Sequence, residues 1–145
     1  MFDPAALTLV AITDDIRDGQ DGLVGRALAA VRGGCTMVQL RLKEVDARTL
    51  VEIARLMTSL LPVPLIVNDR VDVAIASGAA GVHVGADDLP VSAVRRIAPA
   101  GFIVGASVGS DAESIAARGA DYAGIGPVFG TPSKTDAGPD IGIAE

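Results

Sequence analysis

Short apolar, β-branched runs alternate with Ala-rich amphipathic stretches along the whole chain, and this alternation constrains the fold more than any other feature. The runs are LTLVAIT (7–13), CTMVQLR (35–41), VPLIVND (63–69), AGVHVG (80–85), GFIVGAS (101–107) and DYAGIG (121–126), and they predict six strands. Between them lie 23–32, 47–61, 71–77, 90–98 and 111–119, with helical periodicity clearest in the first, second and fourth. Strand followed by helix, repeated, predicts parallel strands joined by crossover helices. Glycines at the helix-to-strand junctions, Gly33 with Gly34, Gly78 and Gly119, predict left-handed helix ends. Residues 76–85 (ASGAAGVHVG) and 117–126 (ARGADYAGIG) repeat one pattern of helix end, glycine stop and short strand, as a βα array requires.

Composition narrows the class. With 145 residues, 50% hydrophobic and 21% charged, the chain predicts one globular domain over 1–145. Aromatics are 3% and tryptophan is absent, which suits close helix-on-sheet packing and disfavours a base-stacking surface. Twelve basic against eighteen acidic residues give a net charge of −6, so an anionic ligand needs a local concentration of bases and nucleic acid is not an expected partner. One cysteine makes no internal disulfide, the amino terminus lacks a leader pattern, and no apolar run approaches the roughly 20 residues of a membrane span. The expectation is a cytoplasmic protein without a membrane partner.

Polar residues gather at one end of the predicted strands. Thr13, Asp14 and Asp15 follow the first; Arg41 and Lys43 the second; Asn68, Asp69 and Arg70 the third; Asp87 and Asp88 the fourth; Ser107 closes the fifth; a loop ending in Thr131, Ser133 and Lys134 follows the sixth. The opposite ends offer mainly Gly, Ala, Pro and Thr. A site built after every strand, rather than at one switch point, is the arrangement of a TIM (βα)8 barrel, of which this chain carries about six βα units.

Individual residues sharpen the picture. Gln39, Arg41 and Lys43 at i, i+2 and i+4 predict one face of an extended strand turned to the barrel interior, with Val38, Leu40 and Leu42 turned to the helices. The plainer alternative ends the strand near Gln39 and leaves both bases solvated. Asp69 is either a site carboxylate or the cap of the helix at Val71, and Asp87 or Asp88 could cap the helix near Pro90. Two carboxylates on neighbouring strand ends beside two bases match the sharing of Mg²⁺ between protein and a diphosphate. The loop GPVFGTPSKT (126–135) combines glycines, hydroxyls and a lysine at a spacing unlike a Walker A loop. His83 reads as a hydrogen-bonded structural group, with a base or ligand contact as the other reading. Cys35 reads as a small core residue, and Arg55 and Arg95 as solvated surface bases.

With these residues in place, the sequence resembles the thiamine phosphate synthase family of phosphate-binding TIM barrels. QLRLK (39–43), VNDRVDVA (67–74), GVHVGADDLP (81–90), GASV (105–108) and GADYAGIGPVFGTPSKTDAGP (119–139) stand in that family's order and spacing, over residues 8 to 142. The resemblance implies a Mg²⁺-dependent transferase that condenses hydroxymethylpyrimidine diphosphate with a thiazole phosphate, giving thiamine phosphate and diphosphate. It implies that Gln39, Arg41, Lys43 and Asn68 hold the pyrimidine diphosphate, with Leu40 and Leu42 inside the same contact stretch. Asp69 and Asp88 would hold Mg²⁺, Ser107 and Lys134 the departing diphosphate, and Thr131, Pro132 and Ser133 would line the thiazole phosphate site. Arg41, Lys43, Ser107 and Lys134 are then the catalytic set.

The sequence departs from the family pattern at three points. Ala86 stands where a Gln is usual, and Ser133 where a Thr is more common. The chain also stops at Glu145, in the expected helix after the sixth strand. The expectation is therefore a fragment, inactive by itself, completed by a C-terminal segment or by another copy in a homo-oligomer. Two other functions stand beside the transferase. One is a thiazole tautomerase-like relative, which has no use for a carboxylate pair on a metal; the other is a non-catalytic module that binds a phosphate ligand.

Overall fold

The computed structural model describes residues 2–13, 15–130 and 140–143. Six strands form one sheet: β1 (Val10–Ile12), β2 (Met37–Leu40), β3 (Leu65–Asn68), β4 (Gly81–Val84), β5 (Ile103–Val108) and β6 (Tyr122–Ile125). Each pairs in parallel with its sequence neighbour, in the order β1 to β6. Helices α1 (Gly19–Arg32), α2 (Ala47–Leu60), α3 (Val71–Ser77), α4 (Val91–Ile97) and α5 (Asp111–Ala116) occupy the five crossovers. The sheet is curled, because residues of β1 and β6, its two outermost strands, line the same cavity. It forms a half-barrel of the kind the alternation predicts.

Alternation along the strands creates two distinct faces. Val38 and Leu40 of β2, Val67 of β3, Val82 and Val84 of β4 and Val104 of β5 join one buried cluster with Leu50, Ile53, Ala54 and Met57 of α2 and Val91 and Val94 of α4. Met37, Gln39 and Ile66 alternate with them and are buried too, yet Met37 and Ile66 lie outside that cluster. They belong to the concave side, which accounts for β2 being buried at all four positions. Helix α2 is held at its start by Asp46, whose carboxylate accepts from the Thr49 amide and hydroxyl.

The structure corrects several sequence expectations. The first run does not form a strand from residue 7. Pro4 opens a 3-10 turn (Pro4–Leu7) capped by the Asp3 carboxylate, and β1 begins only at Val10. Gly78 takes the predicted left-handed cap at φ 72°, but Gly33 is right-handed and the positive φ falls on Gly34. Cys35 is half-buried in the turn before β2 and outside the core cluster. Arg55 and Arg95 are not simply solvated: Arg55 donates to the Ala76 carbonyl, and Arg95 to the Gly119 and Phe102 carbonyls and the Asp121 carboxylate.

Candidate functional site

Because all six strands are parallel, their carboxyl ends open on one side, and a cavity of about 410 Å³ occupies the concave face beneath that opening. Gln39, Arg41, Asn68, His83, Ser107 and Tyr122 are among the residues that line it. Gln39 is buried, and its amide nitrogen donates to the Asn68 side-chain oxygen at 2.8 Å. That bond fixes both amides on adjacent strands, so neither is free to rotate away from the cavity.

Strand β2 ends at Leu40, short of the extended run predicted through Lys43. Arg41 is nonetheless held in register with β1: the Thr13 hydroxyl accepts from the Arg41 amide at 2.8 Å and donates to the Arg41 carbonyl at 3.2 Å. Leu42 packs partly buried against the core, and Lys43 is exposed in the following turn. The alternation thus persists for Arg41 and gives way to loop geometry at Lys43. Both cations lie close enough to Asp69 to favour its ionised form.

Asp69 sits at a backbone outlier. Its amide donates to the His83 carbonyl at 2.8 Å, completing the β3 ladder, and Arg70 N–H then closes a tight turn on the Asn68 carbonyl at 2.7 Å. The turn places Asp69 at φ 63°, a left-handed conformation that Asp tolerates better than most residues. The helix-cap alternative fails here, since α3 starts after Arg70 without a side-chain cap bond. It fails equally for Asp87 and Asp88, because α4 starts after Pro90, again uncapped by any side chain. Asp88 instead accepts from the Gly85 amide at 2.7 Å, folding the loop after β4 back toward β3.

The two carboxyls meet. Partial burial, followed by a hydrogen bond to Asp88 and its charge, pushes Asp69 up to about 6, with Lys43 and Arg41 opposing. Two carboxyls this close together are also hard oxygen donors of the kind a divalent cation takes. Among the described residues no group of three or more His, Cys, Asp and Glu side chains that could hold a metal ion gathers.

His83 joins the site through both ring nitrogens: Nε2 stands 3.0 Å from Ser107 Oγ and Nδ1 stands 3.2 Å from the Tyr122 hydroxyl. Tyr122 is a polar lining residue that sequence reasoning did not single out, and Thr13, named there among the polar residues after the first strand, acts through the backbone of Arg41. Tyr122 was legible as an inward position, since it stands two residues before Gly124 in DYAGIG. Ala86 is exposed in the loop after β4. Thr131, Pro132, Ser133 and Lys134 lie outside the described residues.

Comparison with known proteins fixes the family. The model of thiamine monophosphate synthase matches residues 9–145. The chain belongs to the thiamine monophosphate synthase family. Thiamine-phosphate synthase of Roseiflexus castenholzii is 49% identical over 140 residues, covering 91% of this chain and 60% of that protein. The counterpart of Methanoculleus marisnigri is 52% identical over 123 residues, covering 81% and 58%. Thiamine phosphate pyrophosphorylase from Pyrococcus furiosus superposes with a TM-score of 0.74 at 38% identity, covering 88% of this chain and 64% of that one. The chain therefore spans about three fifths of the length of the first two of these thiamine-phosphate synthases. Among the described residues, no helix is long and apolar enough to cross a membrane.

Proposed function

We propose that the protein is a thiamine phosphate synthase, a transferase that joins a pyrimidine diphosphate to a thiazole phosphate and releases diphosphate. The observation that carries this reading is the meeting of Asp69 with Asp88 near Lys43 and the cavity-lining Arg41, just past the Asn68 that ends β3 in the same cavity, in a chain of this family. In the reaction the bond from the pyrimidine methylene to the diphosphate oxygen breaks with its electron pair on oxygen, and the thiazole nitrogen donates the pair of the new C–N bond.

Each residue then has a task. The fixed Gln39–Asn68 amide pair presents hydrogen-bonding groups to the pyrimidine, and Arg41 and Lys43 hold its diphosphate as charge builds on the leaving oxygens. Ser107 donates to the same group at the cavity mouth. By the family resemblance, Lys134 with Thr131, Pro132 and Ser133 would complete the phosphate contacts. Asp69 and Asp88 would hold Mg²⁺, whose chemistry is to neutralise the leaving diphosphate. The donor set fits, since hard carboxylates in contact favour a hard cation over two like charges.

The paired carboxylates favour this reading over a tautomerase-like or purely binding role. The proposal extends to a closed (βα)8 barrel in the cytoplasm, with turnover requiring more length than these 145 residues. The test is formation of thiamine phosphate from the two substrates by the full-length protein with and without Mg²⁺. Tight diphosphate binding with no product at any Mg²⁺ concentration would leave a binding module instead.

A further inference from the structure

The parallel register sets three residues abreast on the concave face: His83 of β4 opposite Gly105 of β5, and Gly105 opposite Tyr122 of β6. Ser107, two residues on, lies opposite Gly124. The glycines make room for the rings. A Cβ on Gly105 would stand 2.2 Å from Tyr122 Cζ and 2.6 Å from His83 Nδ1, and one on Gly124 would stand 3.3 Å from His83 Cε1. The two rings therefore lie against the sheet, centroids 5.5 Å apart, with the imidazole bridging Tyr122 and Ser107. Phe2 stacks on Tyr122 as well, centroids 6.0 Å apart, and supports the phenol from the amino-terminal end.

A neutral imidazole carries one proton, and its position decides what Ser107 can do. If Nδ1 is protonated it donates to the Tyr122 oxygen; bare Nε2 then accepts the Ser107 proton, which is lost to any ligand. If Nε2 is protonated it donates to Ser107 Oγ, and the serine proton turns toward the cavity.

We propose that Tyr122 is a positioning residue that donates its phenolic proton to His83 Nδ1, holds the imidazole as the Nε2–H tautomer, and so keeps the Ser107 hydroxyl pointed as a donor at an anionic oxygen in the cavity. The inference rests on reading the cavity mouth as a diphosphate site. Burial pushes the Tyr122 phenol up to about 12, so it keeps the proton it is required to donate. The logic parallels other serine–histidine pairs, in which a third group sets the tautomer without touching substrate.

The deciding measurement is the ¹⁵N spectrum of the imidazole in the full-length protein labelled at histidine, with His83→Gln assigning the signals. The expected result is a protonated-type shift at Nε2 and a bare-type shift at Nδ1, with this preference lost in Tyr122→Phe. Protonation at Nδ1, or a tautomer unchanged in Tyr122→Phe, overturns the inference. In turnover, Tyr122→Phe should lower kcat about tenfold with little change in KM, the scale of one hydrogen bond. The same change in a Ser107→Ala background should cost nothing further; an equal loss in both backgrounds overturns the role through Ser107. Absence of thiamine phosphate formation by the unaltered protein overturns the functional reading instead, and the tautomer still stands or falls by its spectrum.

Discussion

The Asp88 carboxyl lies close enough to Asp69 to raise the proton affinity of the Asp69 carboxyl, although they come from different strand ends, Asp69 from a left-handed turn after β3 and Asp88 from the loop that folds back onto Gly85. Each is held by its own backbone contact, so their proximity is built by the loops and does not depend on the contact between them. The arrangement concentrates negative charge where the ligand-free protein least tolerates it.

That concentration has a pH signature. Asp69 is raised from 3.8 to about 6, so between these values the folded state keeps a proton that the unfolded chain releases. Stability from this group therefore falls as pH rises through the window, is unaffected below it, and carries the full penalty above it. Asp69→Asn should be more stable than the unaltered protein at neutral pH, by about 1 kcal/mol after solvent screening, and no more stable at acidic pH below the window. Urea unfolding at the two pH values checks this; equal differences at both would contradict it.

The same pair governs ligand binding. Diphosphate affinity should depend on Mg²⁺ and fall sharply in Asp69→Ala and Asp88→Ala. Near pH 6, binding of Mg²⁺ with inorganic diphosphate should release more proton from the unaltered protein than from Asp69→Asn, because the cation displaces the Asp69 proton in addition to that of the diphosphate. Calorimetry of both proteins in two buffers of different ionisation enthalpy reads the difference. Equal affinity with and without Mg²⁺ would remove the metal from the site.

The glycine floor under the rings gives a stability contrast. Gly105→Ala forces the Tyr122 and His83 rings off the sheet and should cost about 1–3 kcal/mol, as overpacking does. Gly25, inside α1 with nothing within 4 Å of its would-be Cβ, should gain roughly 0.5–1 kcal/mol on the same substitution. Thermal unfolding of the two variants should move in opposite directions.

The βα alternation was legible because burial differs between the two faces of each strand: the VAL-rich outward set must meet helices, and the pattern survives in sequence as period two. Asp69 and Asp88 were legible as a pair on neighbouring strand ends, but the helix-cap reading of each stayed open beside it. Their cap-like contexts, before Val71 and Pro90, resemble helix starts, and only the turn at Asp69 and the Gly85 contact of Asp88 exclude that role. The roles of Tyr122 and Thr13 were not legible, although Thr13 stood among the polar residues after the first strand, because their work is cross-strand. Tyr122 acts through a glycine gap on β5 and Thr13 through the backbone of Arg41, and neither relation leaves a local spacing. Arg95 escaped for a similar reason, since its partners lie 7 to 26 residues away.

Arg41 and Arg95 look alike in sequence and do different work. Arg41 is aligned at its backbone by Thr13 and lines the cavity. Arg95 reaches from α4 to the Phe102 and Gly119 carbonyls and to Asp121, whose Oδ2 also accepts from the Val104 amide; it ties the helix to the amino-terminal ends of β5 and β6, opposite the cavity mouth. Arg41→Ala should therefore weaken inorganic diphosphate binding by about 2 kcal/mol or more while leaving the unfolding midpoint nearly unchanged. Arg95→Ala should lower stability by about 2 kcal/mol through its lost charge-assisted bonds and leave affinity, measured well below the unfolding temperature, within twofold or so of the unaltered protein. Binding by calorimetry and unfolding by urea on both variants separates the two roles, and a loss of affinity in Arg95→Ala equal to that in Arg41→Ala would show that the cavity mouth is not where the anion is held.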